Sequence, residues 1–229
     1  MKKSLKATLL TSLLCSTLIA PTAFAANPGE AESAGKVTFK NEANPLRVES
    51  ATDIIFGEVE ISGDTKPYNA LYQETDKFTE FGGTEKFAPL NVTTVDSRGT
   101  NAGWKLQVKM DGQFKTADND LLHASLKLEP TSSATSKDEG LKRGVPSVLG
   151  VATELTPGGS NAMMMNAKAN EGIGTWTTFF GELQDDTQGG KRQNDKVQLT
   201  VFGGNNGQPI KENKEYSTTV TWSLLNTGD

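Results

Sequence analysis

Apolar and polar residues alternate one by one through Trp104-Lys105-Leu106-Gln107-Val108-Lys109-Met110. A period of two can be buried on one side only in a β-strand, where successive side chains point to opposite faces. The alternation recurs in Leu122-His123-Ala124-Ser125-Leu126-Lys127-Leu128, in Val197-Gln198-Leu199-Thr200-Val201 and in Val220-Thr221-Trp222-Ser223-Leu224, the last preceded by Tyr216 and several β-branched residues. Further strands are expected over 37–40, 53–61, 90–95, 162–169 and 175–183, with Gly82-Gly83, Gly158-Gly159, Gly189-Gly190 and Gly203-Gly204 punctuating them. Helical periodicity is weak throughout: short helices are expected at most near 69–76, and 131–144 reads as a long exposed loop. The pattern predicts an all-β chain, an antiparallel β-sandwich or barrel-like domain with long loops.

The first residues follow a different logic. Lys2, Lys3 and Lys6 precede an apolar stretch from Ala7 to Ala20, and Pro21 precedes the small-residue pattern Ala23-Phe24-Ala25. These are the three regions of an export signal, so residues 1–25 are expected to be removed, leaving Ala26 as the new N-terminus. The stretch is interrupted by Ser and Thr and is shorter than the roughly 20 apolar residues a bilayer span needs. No later segment is apolar enough, so no membrane span is expected in the mature chain. Residues 26–36 read as a flexible lead, and 37–227, free of linker composition and of repeats, as one domain. Cys15, the single cysteine, leaves with the signal. The mature chain then has no disulfide framework and no thiolate metal site, and its stability must come from a hydrophobic core.

Whole-chain Lys+Arg number 23 against 28 Asp+Glu, and loss of three lysines leaves 20 against 28, a net charge of −8. Non-specific nucleic-acid binding relies on cations neutralising phosphates, so no nucleic-acid partner is expected, nor an anionic membrane surface.

Signals of catalysis are missing. His123 is the sole histidine and falls on the polar side of its alternation, beside Ser125 and Lys127, so it reads as an exposed, solvated histidine, and with no second His or Cys in the mature chain neither a triad nor a zinc set is expected in the usual way. Many carboxylates are present, but no motif singles out a hydrolytic pair. Asp118-Asn119-Asp120 and Asp185-Asp186 lack the glycine and distal glutamate of a calcium loop and read as turns. Gly172-Ile173-Gly174 is too short for a phosphate loop. Met163-Met164-Met165 suits either an adaptable binding surface or core filling, and core filling is the commoner use. The chain is read as non-enzymatic, with no cofactor and no metal. The residues closing it, Leu225-Asn226-Thr227-Gly228-Asp229, carry neither an apolar tail nor a basic end, so covalent sorting to a wall is not expected.

Two Trp-x-Leu triplets, Trp104-Lys105-Leu106 and Trp222-Ser223-Leu224, stand in characteristic surroundings. Val95-Asp96-Ser97-Arg98-Gly99-Thr100-Asn101-Ala102-Gly103 leads into the first, Tyr216-Ser217-Thr218-Thr219-Val220-Thr221 leads into the second, and Gly172-Ile173-Gly174-Thr175-Trp176 lies between. With these flanks the chain resembles the WxL-domain surface proteins of Gram-positive bacteria over nearly all of its mature length. Family members often end in an Asp-Ala-Pro-like tail, and this chain does not. The resemblance implies a secreted protein on the cell wall surface of a Gram-positive bacterium, held non-covalently by binding peptidoglycan. It also implies assembly with other WxL proteins and with a membrane-anchored WxL-interacting protein. The alternative is a structural subunit or adhesin that binds other WxL proteins or host matrix, and a wall hydrolase ranks last.

Within the triplets, Trp104, Leu106, Trp222 and Leu224 share the apolar side of their alternations and read as structural rather than ligand-facing, since large aromatics usually supply burial area. A sugar-stacking role is the rival reading of such tryptophans. Trp176, flanked by Gly174 and Thr177-Thr178, is the tryptophan expected to be exposed as a ligand platform. Asp96 and Arg98 either hydrogen-bond a sugar or peptide or hold a turn.

Overall fold

A computed structural model describes residues 36–38, 40, 43–75, 87–135, 144–184 and 192–227. The expected export signal, almost all of the lead, Asp185-Asp186, Gly82-Gly83, Gly189-Gly190 and most of 131–144 lie outside the described residues. The chain divides at Phe39, and every strand belongs to the unit Lys40–Asp229.

In chain order the strands are β1 (Leu46–Ala51), β2 (Lys66–Leu71), β3 (Gln73–Glu74), β4 (Phe87–Ala88), β5 (Asn91–Asp96), β6 (Trp104–Met110), β7 (Phe114–Lys115) and β8 (Leu121–Leu122). They continue with β9 (Ala124–Leu128), β10 (Ser132–Thr135), β11 (Ser147–Val148), β12 (Thr153–Leu155), β13 (Ala162–Ala167), β14 (Gly174–Phe179), β15 (Gln193–Val201) and β16 (Val220–Asn226). Three four-stranded antiparallel sheets carry the fold, ordered β1-β5-β14-β10, β11-β13-β6-β16 and β12-β9-β15-β2, with two small pairs, β3-β4 and β7-β8. The arrangement is sandwich-like, and the described strands do not close into a barrel. One 3-10 turn, Gly203–Gly207, is the only helical element among the described residues.

The alternation of β6 is obeyed in full. Trp104, Leu106, Val108 and Met110 are buried, and Lys105, Gln107 and Lys109 are half-buried. A single core cluster joins them to Val92 and Trp176 of the first sheet and to Leu126, Leu128, Val197 and Leu199 of the third. Each large apolar side chain withdrawn from water contributes about 1.5–3 kcal/mol, so this core is the dominant stabilising element.

Met164 and Met165 are both buried although adjacent, which strict alternation forbids. A register shift between Met163 and Met165 against β6 places a β-bulge at that point, and the bulge turns two successive side chains to the core.

Several expectations need correction. The described residues 69–75 form no helix: 69–71 end β2, whose main chain pairs with β15 at the edge of the third sheet, and 73–74 form β3, which pairs with β4. Part of the expected loop after Thr131 is strand β10, paired with β14. The described residues of 37–40 form no strand, and neither does 53–61, where Gly57 takes a positive φ of 72° and the chain leaves the direction of β2. His123 interrupts its strand between β8 and β9, remaining exposed with its ring centroid 5.1 Å from that of Phe202.

Candidate functional site

β16 pairs with β6 over its whole length, and the register decides how the two triplets meet: Leu224 stands opposite Leu106, Trp222 opposite Val108, and Asn226 opposite Trp104. The leucines therefore face each other, with Trp104 at one end of the ladder and Trp222 two pairs in from the other. Trp104 is 1% exposed, and its indole N–H donates to the Gly172 carbonyl at 3.0 Å. A Cβ at Gly172 would sit 2.7 Å from that indole nitrogen, so glycine is required for the loop to come so close. Trp222 is half-buried and meets Phe180 edge-on, with centroids 5.5 Å apart.

Trp176 is not the exposed platform expected of it. It is 2% exposed, and its indole N–H donates to the Ile173 carbonyl at 2.9 Å. β14 is an interior strand between β5 and β10, and Trp176, Thr177, Thr178 and Phe179 are all buried. The flanking glycines thus serve the fold: successive carbonyls of the 172–173 turn satisfy the indoles of Trp104 and Trp176, as buried N–H groups require.

Asp96 and Arg98 also turn inward. The guanidinium grips the Asp96 carboxylate through Nε at 2.9 Å and Nη2 at 2.8 Å, and the Arg98 main-chain N–H donates to the same carboxylate at 3.1 Å. Nη2 also donates to the Gly103 carbonyl at 2.8 Å, just before Trp104, and Nη1 reaches the Asn226 side chain. With Asp96 only 3% exposed, the pair is a buried fork joining β5 to the first triplet and to the end of β16. At the other end of the ladder, Asp111 accepts from the Thr221 hydroxyl at 2.6 Å and pairs with Lys109 at 3.0 Å. The Thr221 hydroxyl, with Lys109 second, holds the Asp111 carboxyl below its ordinary value.

Trp104 and Leu106 are consequently part of the core, and Trp222 and Leu224 are half-buried against it. The open edge of β2 offers a groove of about 370 Å³ between residues 56–60 and the strand, lined by Phe56, Glu58, Glu60, Tyr68, Asn69 and Gln193 among others. At one end Leu71 N–H donates to the Ile55 carbonyl at 2.7 Å, and at the other the Tyr68 hydroxyl donates to the Glu60 carbonyl at 2.7 Å. Among the described residues no group of three or more His, Cys, Asp or Glu is placed to hold a metal ion.

A family model described as WxL domain, surface cell wall-binding, matches residues 19–227. The chain belongs to the WxL family. It is a cell-wall-binding surface protein, and its family is one of binding domains rather than of enzymes. No curated protein and no solved structure matches it. In this WxL domain both signature tryptophans lie at the β6–β16 ladder. The β2 groove was not foreseen in the sequence. Its one signal in the sequence is Gly57, which interrupts the apolar-rich run 53–61.

Proposed function

We propose that the protein is exported and retained on the wall by non-covalent binding to peptidoglycan, without cutting it, through the outer surface of the WxL domain. The observation that carries this reading is the family match across residues 19–227. The burial of Trp104, Trp176 and the Asp96–Arg98 fork moves the expected contact away from the motif residues and onto exposed strand edges and loops. That the matching family is one of wall-binding domains supports a non-catalytic role. Other WxL proteins and a membrane-anchored WxL-interacting protein are the expected companions in the assembled layer.

Sedimentation with purified sacculi tests the reading. Binding of the purified protein alone, with no soluble fragments released, is the expected outcome. Binding that appears only when secreted companions are added would make the chain a subunit of a protein assembly. Released wall fragments would restore the hydrolase reading.

A further inference from the structure

The stretch 53–61 has the composition of a strand and lies beside the open edge of β2, yet it does not pair with it. One main-chain hydrogen bond, Leu71 N–H to the Ile55 carbonyl, begins a ladder that then stops. At Gly57 the chain bows away, and a Cβ there would lie 3.0 Å from the Leu71 side chain. The bow leaves a slot beside β2 that ends where the Tyr68 hydroxyl meets the Glu60 carbonyl.

In a strand, alternate residues aim their main-chain groups to the same side. Leu71 N–H faces residues 53–61, so the N–H and C=O of Asn69 and the C=O of Pro67 face the slot as well. Pro67 has no N–H to leave unpaired, which suits it to an open edge. Side-chain amides border these groups: Gln198 donates to Asn69 at 2.8 Å, and Asn69 donates to Gln193 at 3.4 Å. Main-chain donors and acceptors beside a slot of this shape are matched by an extended peptide, which can add to the edge as a strand does.

Charge narrows the occupant further. Glu58 and Glu60 are exposed at the slot, and the one cation that lines it among the described residues, Lys66, sits 5.4 Å above the Tyr68 ring. That lysine covers one face of the ring, and the main-chain groups beside it are those that an extended peptide matches. The carboxylate excess repels a phosphate polymer and attracts an ammonium group.

We infer that the groove between residues 56–60 and β2 binds a short extended peptide carrying a free ammonium group, the chemistry of the peptide part of a bacterial wall. The inference rests on the wall-binding reading above and names the subsite within it.

The test uses the purified protein with three probes: the tripeptide N-acetyl-L-Ala-γ-D-Glu-L-Lys, whose lysine amine is its one ammonium group, the same peptide acetylated on that amine as well, and the N-acetylglucosamine–N-acetylmuramic acid disaccharide without peptide. The lysine peptide should shift the amide resonances of Gly57, Asn69 and Leu71. Acetylation, or the double substitution Glu58→Gln with Glu60→Gln, should each weaken binding about tenfold, the scale of one charge-assisted contact. Both glutamates are exposed, so an unchanged unfolding curve shows that the variant remains folded. Equal affinity for the doubly acetylated peptide, or the same amide shifts from the disaccharide alone, overturns the inference. Sacculi bound equally by wild type and the double variant, with no shift from the peptide, reject this groove and leave wall binding standing. Failure of the wild type to bind sacculi rejects the wall-binding reading itself.

Discussion

The two Trp-x-Leu triplets share their letters but not their environments. Trp104 lies on β6, an interior strand covered on both sides by β13 and β16, and is fully buried with its N–H satisfied. Trp222 lies on β16, the last strand of the same sheet, and remains half-buried against Phe180. Equal motifs thus occupy unequal positions: the first helps to build the core, and the second closes the sheet over it. Burial follows from a strand's place in the sheet, which three letters do not encode.

The contrast can be broken by measured stabilities. Trp104→Ala should show the largest loss, about 3–5 kcal/mol in chemical denaturation, since it opens a cavity and strands the Gly172 carbonyl. Arg98→Ala should cost about 3 kcal/mol, because it leaves the Asp96 carboxylate buried without its cation. Gly172→Ala should cost about 2 kcal/mol, as the added methyl group is forced against the Trp104 indole; its indole NMR resonance should move with it. Trp222→Ala should cost less again, about 1–2 kcal/mol, because part of its ring is already in water. If Trp222→Ala equals Trp104→Ala, the distinction between interior and closing strand fails.

The smallest effect is on pH dependence. The Asp111 carboxyl is held below its ordinary value by Thr221 and Lys109, so its contribution is present above the unfolded carboxylate range and is lost as pH falls through the lowered folded value. Thr221→Val should therefore return the Asp111 titration, followed by NMR, toward the ordinary value. An unchanged titration would remove this clip from the β6–β16 ladder.

Much of the architecture was legible in period-two patterns because one-sided burial imposes that spacing directly on the chain. The alternations within β6, β9, β15 and β16 each mark a strand that the structure contains. The run 53–61 misled because alternation records a tendency to extend, whereas pairing needs a partner at strand distance, and Gly57 carries the chain away from β2. Trp176 misled because neighbouring glycines suggest exposure. In the fold the adjacent turn supplies carbonyls to two buried indoles.

By itself, then, the sequence determined the β class, the burial of the first triplet and the family, since these rest on local alternation and on short motifs that survive without knowledge of distant neighbours. Only the tertiary structure decided that Leu106 faces Leu224, that Arg98 fastens β5 to the ends of both triplet strands, and that no second strand among the described residues pairs with the outer edge of β2. Those features join residues as far as 128 positions apart. They depend on register and strand order, which are settled by the packing of the whole core.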